Sequence, residues 1–241
     1  MSQAGSPEGT RRERLIKLSS AAAFLAVVAV AALIVLSESQ TDGGDTELEG
    51  VEQVHRDLRG IPQRGLALGD PSAAVRLIEF GDLQCPACKT YAEEFVPMVI
   101  DSRVRSGRAK IEFRNYVIIG EESVPAGAAA IAAGRQGRGW GFVELFYRNQ
   151  GFEGTGYVTD EFLTAVAEGA EVPDMARWNR DRRSQRVLAE VSRTSAEARR
   201  LGFGGTPSFG VEGPGAKSLE PVSAASAGDL EAAIDQAGRA D

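Results

Sequence analysis

The chain has 241 residues, 43% hydrophobic and 25% charged, enough for one sizeable core with appendages. A formal net charge of −7 excludes the basic surface that a nucleic-acid partner requires. Two cysteines and one histidine leave too few ligands for a structural zinc site within one chain, so no metal is expected.

In chain order, residues 1–18 form a basic N-terminal segment carrying Arg11, Arg12, Arg14 and Lys17. Residues 19–36 carry no charge and are followed by Glu38, Asp42, Asp45, Glu47 and Glu49. A bilayer core needs roughly 17–25 apolar residues, so this run suffices for one transmembrane helix. Positive charge before it and none close behind predicts a single-pass protein of the cell membrane, with a cytoplasmic N-terminus and everything after residue 36 outside. A cleaved signal peptide is the alternative, but its apolar core normally runs only about 7–15 residues. Under either reading both cysteines leave the cytoplasm.

Residues 37–63 are polar, acidic and poor in aromatics, which predicts a flexible linker. His55 lies there, and no special role is expected of it. A domain is expected over 64–240. It opens with a strand at 76–80, "RLIEF", then a helix from Pro86 with Tyr91, Phe95, Val96 and Val99 on its apolar side. A second strand lies within 109–118, alternating Ile111 and Phe113, which closes a βαβ unit of about 75–118. Helices are predicted at 126–137, 140–150, 159–170 (opened by Thr159), 173–181 (opened by Pro173) and 184–201. The last carries the stripe Val187, Val191, Thr194, Ala198, Leu201. Strand character returns within 202–213, and a terminal helix is capped by Asp229.

Both cysteines fall in "FGDLQCPACKTYAEEF", residues 80–95. A purely structural disulfide here would close too short a loop to restrict the unfolded chain much. Idle thiols survive poorly in an oxidising compartment. A redox pair remains, and helix electrostatics favour it. With Pro86 in the first helical turn, Cys85 takes the N-cap, where unpaired N–H groups and the helix dipole stabilise its thiolate. Cys88 lies one turn further in, shielded. Stabilising the thiolate stabilises the reduced form and makes the disulfide a stronger oxidant.

"EFGDLQCPACKTY", with "GFGGTPSFGV" far downstream, resembles the DsbA-like thiol–disulfide oxidoreductases. "AAAIAAGRQGRGWGFVELFYRNQG" is similar to the helices that interrupt the thioredoxin fold in that family. The resemblance implies an α/β thioredoxin fold with an α-helical domain inserted at about 120–201. It implies that Cys85 is the exposed nucleophile and Cys88 the buried resolving thiol, that Pro207 is a cis-proline facing them, and that Thr206 presents backbone to substrate. Glu79 matches the acidic residue beneath the site, suited to relay the Cys88 proton. Pro86-Ala87 departs from the family's frequent Pro-His dipeptide. Alanine adds no charge or hydrogen bond to the Cys85 thiolate, so a weaker oxidant than the Pro-His members is expected. No cofactor is implied beyond the redox-active Cys85–Cys88 disulfide. The partners implied are secreted or cell-envelope proteins with free thiols, a membrane quinone-linked reoxidant, and the lipid bilayer around 19–36. The alternatives are a reductase or isomerase fed by a transmembrane electron donor, and a non-catalytic tethered peptide-binding domain.

Overall fold

The computed structural model describes residues 47–239, so the apolar run 19–36 and the linker residues 37–46 lie outside the described residues. Among the described residues no helix is long and apolar enough to cross a membrane.

The sheet is built around β3 (Val75–Gly81), in which every residue but Arg76 is buried. β3 pairs in parallel with β4 (Ala109–Asn115) and antiparallel with β5 (Ser208–Glu212). With β1 (Gln63–Arg64), β2 (Ala67–Leu68) and β6 (Glu220–Val222), the strand order is β1-β2-β4-β3-β5-β6. Period-2 alternation sends Val75 and Leu77 into the main core, and Ile78 and Phe80 into a second cluster on the other face. A strand covered on both faces must be almost continuously apolar, which is how "VRLIEFG" reads. Its one half-buried member, Arg76, ties three strands together through Glu112 at 2.7 Å and through Glu212.

Between β4 and β5 the chain makes α4 (Ser123–Gly134), α5 (Gly139–Arg148), α6 (Asp160–Gly169), α7 (Met175–Asp181) and α8 (Gln185–Arg200). This is the helical insertion, and short polar side chains set its boundaries. Thr159 accepts from Phe162 N and Ser184 accepts from Val187 N. α7 begins on an Asp174 cap rather than at Pro173, because only the aspartate can accept from Arg177 N. The terminal helix α9 (Ala227–Ala237) likewise has Ser226 as its N-cap. Asp229, expected to be the cap, instead has its carboxylate accept from Ala225 N and the Ser226 hydroxyl just before the helix.

The helix after β3 is less regular than its apolar spacing predicts. α2 (Pro86–Thr90) runs into a π-helical segment, Tyr91–Phe95, then α3 (Val96–Val99) and a second π-helical segment, Ile100–Val104. Pro97 has no N–H to give Glu93, and its ring crowds that carbonyl. The preceding turn widens accordingly.

One expectation is overturned. Residues 51–58, read as flexible linker, form a helix, α1 (Val51–Leu58), with Val54 and Leu58 buried in the main core. Val51, Val54 and Leu58 recur at steps of three and four, an apolar stripe that the acidic composition of the segment averages away. His55 is on this helix, with Nε2 2.8 Å from Gly169 O and Nδ1 3.9 Å from Glu171, and so fastens α1 to the end of α6. The packed part of the chain therefore begins before residue 64. Leu58→Ala should destabilise the full-length protein by about 2 kcal/mol, the low end for such a truncation because Leu58 already borders a cavity. Urea denaturation measures this, and a loss below about 0.5 kcal/mol would contradict core packing of α1.

Candidate active site

Cys85 is the N-cap of α2, with Pro86 behind it in the first turn. Its sulfur accepts from Cys88 N at 3.4 Å, filling one of the orphan N–H positions of the helix start. On its other side the Cys85 thiol is 3.4 Å from Thr206 O. That contact makes the loop before β5 face the cysteine pair, and the Thr206-Pro207 peptide bond in it is cis. Both cysteines are free thiols. Cys88 is fully buried, and Cys85 retains 5% exposure. The nucleophile position is thus more enclosed than the resemblance implies, although Cys85 is still the one of the pair that solvent reaches.

The two thiols are driven in opposite directions. The Cys88 thiol hydrogen bond, helped by Thr206 and the N–H groups of Cys88 and Ala87, outweighs burial and lowers Cys85 to about 6. Burial first, then the Cys85 contact and the charge of Glu79, raise Cys88 well above the ordinary thiol value. At pH 7 such a Cys85 is mostly thiolate while Cys88 stays protonated. Ala87 contributes only backbone here, its side chain being a methyl group.

Glu79 lies on β3 opposite Phe113 of β4 and Phe209 of β5. It is 2% exposed, and its Oε1 has no hydrogen-bond partner. Burial between these rings, followed by the charges of Glu144 and Cys85, raises its pKa to about 8. Gly81, two residues on, cannot carry a side chain. A Cβ there would stand 2.6 Å from the Phe113 ring, 3.0 Å from Tyr147 Oη and 3.1 Å from Glu79 Oε1.

Several residues that hold the site escape a reading of local pattern. Asp82 binds the cysteine loop to the segment after β4, accepting from Gln84 N at 3.0 Å, Ile118 N at 2.8 Å and Ile119 N at 2.9 Å. The end of α5 clamps the same loop. Gln150 Nε2 donates to Leu83 O (2.7 Å) and Cys85 O (3.2 Å), and Tyr147 Oη donates to Asp82 O (3.2 Å). Lys89 returns the contact, donating to Tyr147 O at 2.6 Å and Arg148 O at 3.1 Å, the last carbonyls of α5. Nothing in "GD" or "YRNQ" announces these roles, because each depends on elements far apart in the chain. Glu144 did leave a signal, as the one acid inside the apolar run "GWGFVELFY".

A cysteine pair at a helix start, facing a cis-proline, on a thioredoxin sheet interrupted by helices, defines a thiol–disulfide oxidoreductase of the thioredoxin fold. The comparisons with known proteins agree. A thioredoxin family model matches residues 63–235, and the chain belongs to that family, within its DsbA-like thiol–disulfide oxidoreductases. A probable disulfide bond formation protein D of Bacillus cereus is 30% identical over 150 residues, which is 61% of this chain and 69% of the relative. A thioredoxin-like oxidoreductase of Silicibacter pomeroyi matches with a TM-score of 0.59 and 28% identity, covering 76% of this chain and 95% of that one. Oxidised BdbD of Bacillus subtilis shares the fold, with a TM-score of 0.63 and 19% identity over 73% of this chain and 97% of that one.

The Glu79 environment yields a pH prediction. Unfolded, Glu79 loses its proton near 4.5, whereas the folded protein holds it to about 8. Across that window the native state binds more protons, so the contribution of Glu79 to stability falls as pH rises. Glu79→Gln should remove this part of the slope. Denaturation midpoints at several pH values test it, and a variant that loses stability with pH as steeply as the parent would contradict a buried, protonated Glu79.

Proposed function

We propose that the protein is a membrane-anchored extracytoplasmic oxidase of protein thiols, acting through a Cys85–Cys88 disulfide. The observation that carries this reading is the placement of the two thiols, Cys85 at the N-cap of α2 between Cys88 N and Thr206 O, and Cys88 fully buried one turn further in. A substrate thiolate attacks Cys85 Sγ, the Cys85–Cys88 bond breaks, and Cys88 leaves as a thiolate that takes up a proton. A second substrate thiolate then attacks the substrate sulfur of the mixed disulfide and expels the Cys85 thiolate. Two electrons pass from substrate to enzyme, and the substrate leaves with a new disulfide. The low pKa of Cys85 makes it the better leaving group and favours the reduced enzyme, the direction of an oxidant. Thr206, whose carbonyl is 3.4 Å from the Cys85 sulfur, and Pro207 after it would supply the backbone on which an extended substrate aligns. Glu79 is the acid that would supply the Cys88 proton.

The Bacillus cereus relative is likewise named a probable disulfide bond formation protein. The charge-free run 19–36 would hold the domain at the membrane, within reach of a quinone-linked protein that restores the disulfide. A reductase is the second reading, and Ala87 favours it in one respect. A histidine between the cysteines would stabilise the thiolate further, and this chain has none there.

Cys88→Ala, first converted to its Cys85–glutathione mixed disulfide, should exchange the glutathione for substrate thiols and trap substrate proteins on Cys85 as mixed disulfides that reducing agent releases. Capture of exported thiol proteins by the full-length variant supports catalysis. Equal recovery after Cys85 is also replaced by Ser would contradict it.

A further inference from the structure

Gln150 lies just past the end of α5 and takes no part in the exchange of thiols and disulfides. Its backbone N–H donates to Tyr147 O at 3.2 Å, so the residue belongs to the closing turn of the helix. That turn is held from two sides. From α2, Lys89 Nζ donates to Tyr147 O and Arg148 O. From the segment before α1, Glu49 pairs with Asn149 in both directions. Asn149 Oδ1 accepts from Glu49 N at 2.7 Å, and Asn149 Nδ2 donates to Glu49 O at 3.1 Å.

From this fixed base the Gln150 side chain reaches the cysteine loop. Its Nε2 donates to Leu83 O at 2.7 Å and to Cys85 O at 3.2 Å. Both partners can only accept, so the amide nitrogen is the atom that must face them. The Cys85 carbonyl also accepts from Lys89 N at 3.1 Å, the first helical bond of α2. Its two lone pairs are thereby used, one by the helix and one by Gln150. On the other side of the residue, Cys85 N donates to Asp82 O at 2.9 Å. With the peptide groups before and after it pinned, Cys85 keeps its extended N-cap conformation, φ −77° and ψ 120°. From there its sulfur reaches Cys88 N and Thr206 O, each at 3.4 Å.

We propose that Gln150 is a positioning residue for the Cys85 thiolate, and that through it the inserted helices set the reduction potential of the cysteine pair. The proposal rests on the reading of Cys85 and Cys88 as the redox pair. Its effect falls on one redox state. In the disulfide a covalent bond to Cys88 holds the Cys85 sulfur whatever the loop does. In the dithiol, the form to which these distances belong, the sulfur is held only by the loop that carries it. The N–H groups at the helix start stabilise the thiolate only while that loop stays in place. Loss of the Gln150 contacts therefore weakens the reduced state more than the oxidised state, and makes the disulfide a poorer oxidant.

The test equilibrates the full-length protein in graded glutathione buffers. Gln150→Glu keeps the shape but sets an acceptor against two carbonyl oxygens, and Gln150→Met removes the donor without adding charge. Both variants should lower the equilibrium constant for oxidising glutathione by about three- to tenfold, the span of one net hydrogen bond. In both, the ultraviolet absorbance of the Cys85 thiolate should appear at higher pH than in the parent. The reduced protein should also lose more melting temperature than the oxidised one. Leu58→Ala loosens the core at α1 without touching the loop. It should lower the melting temperature of both redox forms alike and leave the constant at the parental value.

A parental constant in either Gln150 variant overturns the proposal. So does an equal loss of melting temperature in the two redox forms, which would mark Gln150 as structural only. A Leu58→Ala constant that moves as far as those of the Gln150 variants overturns it as well, because general loosening would then suffice. If the parent itself fails to exchange with glutathione, the redox reading falls and the proposal with it.

Discussion

Cys85 occupies the point where the first N–H groups of a helix have no helical acceptor, and its sulfur accepts from Cys88 N in their place. Whatever stabilises negative charge there also weakens the disulfide, since only the reduced form carries the thiolate. Much of the surrounding architecture keeps that sulfur in position. Pro86 sets the helix start, Asp82 secures the loop before it, and Tyr147 of α5 and Gln150 just past its end bind the loop's carbonyls. The inserted helices thus serve as the clamp of the cysteine loop as well as a lobe beside it.

A second constraint is the burial of an acid on β3, the strand that leads into the cysteine pair. Glu79 lies in the middle of the sheet between two phenylalanines, a position that an apolar residue would fill at lower cost. That cost has a chemical return. A carboxyl group kept protonated near neutral pH can give a proton to a departing thiolate, which an exposed glutamate could not. Gly81 belongs to the same arrangement, because its missing side chain leaves room for the Glu79 carboxyl, the Phe113 ring and the Tyr147 hydroxyl.

Local signals carried much of this into the sequence. Proline after the first cysteine and a strand before it make the N-cap legible. The parity of Glu79 with Leu77 places it on the core face of β3. Thr159 and Ser184 mark helix starts in the same way. The remainder depended on packing. α1 was hidden because its apolar stripe sits in an acidic segment whose mean composition reads as linker. The π-helical segments follow from Pro97 acting on an otherwise continuous helix. Ser226 and Asp229 are both good caps three residues apart, and only the backbone decides between them. Glu144 stood out as an acid among apolar residues, yet what it faces depends on α1 and α3 meeting around it.

The most direct test of the helix-start account is the reduction potential of the Cys85–Cys88 couple in the full-length protein, equilibrated in graded glutathione buffers. A thiolate stabilised as described predicts a value between about −120 and −200 mV, that of a net oxidant of protein thiols. A value near about −270 mV or below would mean that the disulfide is too stable to be given away, and would contradict the account.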